Sequence, residues 1–172
     1  MTTKYTLVTL VEDKPGVLNA ISSLFRRRGF NIDSIAVGHS EQPNVSRVTI
    51  VVNGSPAVIE QARKQLAKIV AVIKTFDVNP EESVARELAL IKVKTTPETR
   101  SEIIQIAGIF RANIVDVAHD SLTVEVTGDE DKVESLFRLL NVFGIKEMAR
   151  TGRIAMTRGA LEPGGKEEHN SQ

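Results

Sequence analysis

The sequence contains no cysteine and no tryptophan, and aromatic residues make up only 4% of its 172 residues. Without cysteine, the chain cannot form disulfides, zinc–thiolate sites or a catalytic thiol. Its formal net charge is zero, so it lacks the electrostatic attraction that draws proteins to nucleic acid or anionic membranes. No apolar run approaches the roughly 18 residues of a membrane span, and no signal-peptide pattern opens the chain. We therefore expect a cytoplasmic protein that binds neither nucleic acid nor membranes.

The first 78 residues contain one strand–helix–strand–strand–helix–strand unit. Runs rich in β-forming residues alternate with two segments whose apolar residues recur at helical spacing. The first helix is expected to end at Gly29, and the second to begin at Ser55 with Pro56 in its first turn. Apolar residues in the second strand break their alternation, which predicts a β-bulge near Asp33.

The same order of elements returns in the second half of the chain. An offset of 82 residues superposes Ile21 on Ile103 and Asn31 on Asn113. This repeat predicts an α+β fold of two tandem ferredoxin-like βαββαβ modules, each an antiparallel sheet with its helices on one face.

The expected organisation has four parts. Residues 1–78 form the first module and residues 85–159 the second. Residues 79–84 are polar and contain a proline, which is typical of a linker. Residues 160–172 are rich in Gly and charged residues, and we expect them to be a disordered tail.

The turn between the first strand and the first helix is the strongest functional signal. It runs from Glu12 through Asp13 and Gly16 to Leu18, and it leaves backbone N–H groups free at a helix N-terminus. Such groups bind carboxylates, whereas nothing in the turn looks like a nucleophile, a metal cage or a phosphate loop. The second module has Glu98 at the position of Gly16, so it keeps the scaffold but loses this turn.

Two structural alternatives stay open for these residues. Gly16 is also the ordinary choice for a tight strand-to-helix turn. Asn31, at the start of the next strand, can satisfy a carboxylate or an ammonium group, but it can also simply end the turn after Gly29. The equivalent Asn113 in the second module favours that structural interpretation.

Other polar clusters carry weaker signals. Arg26–Arg28 is more typical of a solvated helix C-terminus than of an anion site. His39 and His119 each have too few acidic neighbours in sequence to hold a metal ion. We therefore expect no metal site and no catalytic residue.

Seven segments, taken in order, resemble one known family. They are residues 12–18, 28–34, 46–50, 86–88, 110–116, 150–152 and 158–159. The turn and the repeat resemble the ACT domain, an amino-acid-sensing module, and the ordered set resembles the regulatory (small) subunit of acetolactate synthase, also called acetohydroxyacid synthase. The family often has Asn where Asp13 stands, which leaves the effect of Asp13 on effector affinity open.

The resemblance implies a subunit with no activity or bound cofactor of its own. Its partner would be a catalytic subunit that uses thiamine diphosphate, Mg²⁺ and FAD to condense pyruvate into acetolactate. The small subunit would raise that activity and confer feedback inhibition by valine. It would form a homodimer through the first module, with valine at the interface. The residues implied for the valine site are Asp13, Pro15, Gly16, Val17, Leu18, Asn31 and Ile32.

Three rival functions remain. A free-standing ACT sensor for another enzyme or a transcription factor would share the turn. An RNA-binding module shares the order of elements, but residues 47–52 lack the aromatic side chains that stack bases. A small self-contained enzyme would need acid or base groups that the turns do not provide. The sequence does not separate valine from leucine or isoleucine, and it leaves open a nucleotide or divalent ion at an interface.

Overall fold

A computed structural model of the chain describes residues 3–159. The chain divides into two compact units, and residues 3–84 make up most of the described part of the first. The first unit is a four-stranded antiparallel sheet of order β2-β3-β1-β4 with two helices. Its elements are β1 (Thr3–Glu12), α1 (Val17–Arg28), β2 (Asn31–His39), β3 (Val45–Gly54), α2 (Pro56–Leu66) and β4 (Val72–Val78).

The second unit, residues 85–151, repeats this arrangement with strand order β6-β7-β5-β8. A short 3₁₀ turn at Pro80–Glu82 precedes it. Its elements are β5 (Ser83–Lys94), α3 (Arg100–Ile109), β6 (Asn113–Val117), β7 (Ser121–Gly128), α4 (Glu130–Asn141) and β8 (Ile145–Arg150). The predicted fold of two ferredoxin-like modules is confirmed.

Local sequence signals account for the ends of these elements. The Ser55 hydroxyl accepts a hydrogen bond from the Val58 N–H, and Pro56 follows it in the first turn of α2. Gly29 ends α1 with a φ of 67°, in the left-handed region that glycine adopts most easily. The predicted bulge in β2 is confirmed, because the register with β3 shifts after Ile32.

Each unit buries its own core between its sheet and its helices. In β1, Leu7 and Val11 point towards the helices and belong to the first core, so Thr6 and Val8, on either side of Leu7, point to the opposite face. The fully buried side chains that define the two cores include Leu7, Ile21, Phe25, Ile50, Leu66, Ile91, Ile103, Leu122, Leu136 and Leu140. Full burial of each such side chain contributes about 1.5–3 kcal/mol.

The division of the chain differs from the expected one at its C-terminal end. The second module is expected over residues 85–159, but the second unit ends at Thr151, and residues 152–159 belong to the first unit. They include a short strand, β9 (Ile154–Thr157), which contacts β4 and pairs with β5, whose first two residues also belong to the first unit. The expected tail, residues 160–172, lies outside the described residues.

Candidate functional site

An exposed turn connects β1 to α1. The Asp13 N–H donates to the Asn44 carbonyl at 2.9 Å, and the Lys14 N–H donates to the Glu12 carbonyl at 2.9 Å. Gly16 then adopts φ 87° and ψ −8°, a left-handed conformation that strains any residue with a Cβ. These features position the turn at the N-terminus of α1.

The first turn of α1 has no side-chain cap. Gly16 lacks a side chain that accepts a hydrogen bond, and the first intrahelical bond runs from the Ala20 N–H to the Gly16 carbonyl at 3.0 Å. The preceding N–H groups have no carbonyl within the helix, and together with the helix dipole they favour an anion. A Cβ placed on Gly16 meets no heavy atom within 4 Å, so there is open space beside these groups.

The predicted residues of the turn differ in what their side chains do. Asp13 and Pro15 are exposed, and Leu18 is 46% exposed on the surface of α1. Val17 is buried and packs in the first core, so only its backbone N–H is available to a ligand at the turn. Leu18 is therefore the apolar side chain that a ligand at the turn would meet.

The structure does not bring Asn31 and Ile32 to this turn within one chain. Both β1 and β2 run antiparallel to β3, so they are parallel to each other. The turn follows the last residue of β1, whereas Asn31 is the first residue of β2, which is nine residues long. The two parts of the predicted site are therefore separated along the sheet by about 26 Å.

His39, at the end of β2, is the residue that does lie beside the turn. Its Nδ1 is 3.4 Å from the Asp13 carboxylate, and both side chains are exposed. A protonated His39 would offset the negative charge that Asp13 brings to the turn. In the sequence His39 is considered only as a metal ligand, because its contact with Asp13 depends on where two strands end in space.

The corresponding turn of the second unit is closed by its own side chains. The Thr96 N–H donates to the Thr99 hydroxyl at 2.9 Å, and the Thr99 N–H donates to the Thr96 hydroxyl at 3.3 Å. Arg100, at the position that Leu18 holds in the first unit, donates from Nη2 to the carbonyls of Ala118 and His119. Helix α3, like α1, has no side-chain cap hydrogen bond, so the two turns differ in the Thr96–Thr99 bonds and in Arg100 rather than in capping.

The β2 edge of the first unit is apolar and exposed. Ile35 and Val37 are 38% and 48% exposed, although they pair with the buried Ile50 and Val48 on the helix side of the sheet. Helix α1, which carries Leu18, contacts β2. Within residues 3–159, β2 has a neighbouring strand on one side only, so its other side presents backbone groups for pairing.

Asp33 occupies the bulge of β2 and is held by two side chains. Its carboxylate lies 3.0 Å from the Lys4 ammonium and accepts a hydrogen bond from Asn53 at 3.3 Å. Partial burial raises the pKa of Asp33, but these hydrogen bonds and the charges of Lys4 and Arg153 outweigh it. The net effect is a pKa below the ordinary 3.8.

Replacing Lys4 with methionine is expected to raise the pKa of Asp33, because one hydrogen bond and one positive charge are lost. An NMR titration of the Asp33 carboxyl carbon measures this. Because the pKa of Asp33 is lower in the folded chain, ionised Asp33 stabilises the fold at pH values above its pKa in the unfolded chain. This stabilisation is lost as the pH falls through the lower pKa of the folded chain. Lys14→Met, which removes a pair with Glu12, is the control and should leave Asp33 unchanged. An unaltered Asp33 titration in Lys4→Met would contradict the assignment.

Two further features of residues 3–159 bear on the site. They contain no group of three or more His, Asp or Glu side chains placed to hold a metal ion. None of their helices is both long enough and apolar enough to cross a bilayer.

Comparison with known proteins identifies the family. Residues 7–74 match the AHAS small subunit-like ACT domain, and residues 86–159 match the small subunit of acetolactate synthase. A probable acetolactate synthase small subunit from Archaeoglobus fulgidus is 54% identical over 156 residues, which are 91% of this chain and 98% of that protein. The acetolactate synthase small subunit from Mycolicibacterium smegmatis is 51% identical over 158 residues, or 92% and 93% of the two chains. The crystal structure of the Thermotoga maritima small subunit superposes with a TM-score of 0.87 at 44% identity, covering 92% of this chain and 99% of that one. The chain belongs to the acetolactate synthase small subunit family.

Proposed function

We propose that this chain activates an acetolactate synthase catalytic subunit and makes it sensitive to feedback inhibition by valine. The observation that carries the proposal is the turn at Gly16, where uncapped N–H groups adjoin open space; in the second module the equivalent turn is bridged by Thr96 and Thr99. A helix N-terminus with free N–H groups and open space suits the carboxylate of an amino acid. The chemistry of pyruvate condensation belongs, in this proposal, to a partner that carries thiamine diphosphate, Mg²⁺ and FAD.

The turn provides a partner for each group of valine. The N–H groups of Gly16, Val17 and Leu18 hold the carboxylate, and Asp13 takes the ammonium group. The exposed Leu18 side chain borders the isopropyl group. An affinity near 0.1 mM, which suits a sensor of a metabolite, needs only about −5.5 kcal/mol, well within the reach of these contacts.

A homodimer completes the site with Asn31 and Ile32. One chain holds these residues about 26 Å from the turn, so within the proposal they must come from a second copy. If two β2 edges pair antiparallel about a two-fold axis, the start of one β2 lies beside the end of the other. His39 and the turn are at that end, so Asn31 of the partner subunit reaches the ligand. The exposed Ile35 and Val37 support such pairing because it buries them.

Inhibition then follows from the location of valine between two chains. A ligand shifts a conformational equilibrium only if it binds one state better than the other. A site formed by the turn of one chain and the strand of another exists in one relative orientation, so valine stabilises that orientation. A coupling free energy of about 1–3 kcal/mol is typical and is enough for feedback control.

The proposal predicts selective stabilisation of the purified chain by valine. A thermal shift against all twenty amino acids is the first measurement, and at 100 times its dissociation constant valine adds about 2.7 kcal/mol to the free energy of unfolding. Leucine and isoleucine are the informative competitors, and alanine and aspartate serve as controls.

Reconstitution tests the regulatory part of the proposal. Adding the chain to a purified acetolactate synthase catalytic subunit should raise acetolactate formation, and valine should reverse the increase. An amino acid that binds the chain while the catalytic subunit does not respond would favour a sensor that serves another enzyme. No response to valine in either experiment would refute the proposal.

A further inference from the structure

The segment that follows the second unit returns to the first unit and is anchored there at both ends. We call residues 152–158 the return segment. Arg153 donates from Nη1 to the Thr6 hydroxyl at 3.3 Å, and Arg158 donates from its backbone N–H to the Glu82 carbonyl at 2.9 Å. Between these points Arg47 donates from Nη2 to the Ala155 carbonyl at 2.6 Å. The return segment is therefore an ordered part of the first unit.

The return segment lies on the sheet face opposite the helices. Thr6 points to that face, because Leu7 beside it belongs to the core under the helices. Arg47 pairs with Leu10 on the same face and also lies over the ring of Phe76, 5.8 Å from its centroid. The segment therefore reaches the sheet from the side that α1 and α2 leave open.

One contact of the return segment is with the backbone of β2. A Cβ placed on Gly152 would lie 2.6 Å from the Ile35 carbonyl oxygen and 2.8 Å from its carbon, closer than any real side chain can approach. Beside it, the Arg153 N–H donates to the Ser34 hydroxyl at 3.5 Å. Gly152 is thus required where two stretches of backbone meet, and neither can rotate away as a side chain would.

These contacts fall directly after the bulge of β2. The register with β3 is interrupted between Ile32 and Ser34, so the ladder does not hold Asp33. Among the described residues, β2 is an edge strand with no strand on its other side. The start of β2, with Asn31 and Ile32, therefore depends on what holds the bulge, namely Lys4 and Asn53 at Asp33 and the return segment at Ser34 and Ile35.

We propose that Gly152 and Arg153 are positioning residues of the effector site, which act by fixing the bulge of β2 and hence the place of Asn31 and Ile32. The proposal rests on the function proposed above and adds residues far from the turn in sequence. Without the return segment, the bulged end of β2 has several positions available, and ligand binding must then order it. That ordering subtracts from the affinity for the effector.

The test uses the full-length chain with Gly152→Ala. The matched control is Gly38→Ala, in the same strand, where an added Cβ meets no heavy atom within 4 Å. Amide hydrogen exchange at residues 31–35, measured without ligand, should be faster by about tenfold in Gly152→Ala because the strand is displaced. In calorimetry, the dissociation constant for valine should rise by about tenfold. Activation of the catalytic subunit should not change, and Gly38→Ala should match the unsubstituted chain in all three measurements.

The outcomes separate this inference from the proposed function. Unaltered exchange and unaltered valine affinity in Gly152→Ala would overturn the inference. If the unsubstituted chain binds no valine, the proposed function fails, and hydrogen exchange at residues 31–35 alone decides whether Gly152 positions β2. If Gly152→Ala does not fold, Arg153→Ala replaces it, since it removes the Thr6 contact and the charge near Asp33 without a backbone clash. It should weaken valine binding by about threefold, and no change would again refute the inference.

Discussion

Gly16→Asp is expected to abolish inhibition by valine while the chain still activates the catalytic subunit. The new side chain enters the open space beside the N-terminus of α1, where no heavy atom of the chain stands within 4 Å. Its carboxylate takes the N–H groups meant for the ligand carboxylate and repels a second anion there. We expect valine affinity to fall by more than about 100-fold, because the N–H groups that would bind the valine carboxylate are occupied and a negative charge lies beside them. Calorimetry with valine and an inhibition curve of the reconstituted enzyme measure the two effects.

Two controls distinguish the loss of the ligand site from the effect of backbone strain. Gly29→Asp places the same side chain in the same left-handed conformation, φ 67° instead of 87°, at the opposite end of α1. It should cost about 1–2 kcal/mol of stability, as Gly16→Asp does, and leave valine inhibition intact. Asn31→Ala should reduce inhibition without backbone strain, and Asn113→Ala, its equivalent in the second module, should not. Undiminished valine inhibition in both Gly16→Asp and Asn31→Ala would contradict the assignment of the valine site.

Phe25→Ala is expected to lower the free energy of unfolding of the first unit by about 3–5 kcal/mol. Phe25 is 1% exposed in the first core, and its ring meets Phe30 edge-on with centroids 5.6 Å apart. Truncation leaves a cavity under α1, the helix whose N-terminus forms the turn. A loss of this size is a large share of the stability of a small unit.

The single tyrosine of the chain provides a fluorescence probe for this prediction. Tyr5 is its only tyrosine, tryptophan is absent, and Tyr5 packs against the first core. Tyrosine fluorescence in a denaturant titration therefore reports on the first unit specifically. Phe25→Leu should lower the free energy of unfolding less than Phe25→Ala does, because leucine fills most of the cavity. A change below about 1 kcal/mol in Phe25→Ala would show that α1 does not depend on this core.

The elements that the sequence predicted correctly depend on local signals. Ser55 followed by Pro56 is a helix start within two residues, and the structure has the hydrogen bond that this pair implies. The bulge near Asp33 follows from apolar alternation within one strand. Such signals are readable because the partners lie a few residues apart.

What the sequence could not show depends on partners far apart in the chain. Nothing in the four residues of β9 indicates which strand they pair with. The sequence therefore places residues 152–159 in the second module, whereas the structure places them in the first unit. The contact between His39 and Asp13 depends on where two strands end in space. The distance between the Gly16 turn and Asn31 likewise depends on strand directions, which the residue types of the two segments do not reveal.

The return segment also determines when the first unit can be completed during synthesis. Arg153 contacts Thr6, which lies 147 positions earlier, so this contact of the N-terminal half forms only after almost the whole chain has been made. At about 5–20 residues per second, a ribosome needs roughly 4–15 s to extend the chain from the end of the N-terminal half to the end of the return segment. A nascent or prematurely terminated chain therefore presents a partly uncovered sheet. Only copies translated past residue 153 make the contacts of the return segment with β2, so in the proposed function an earlier stop yields chains whose effector site is not positioned.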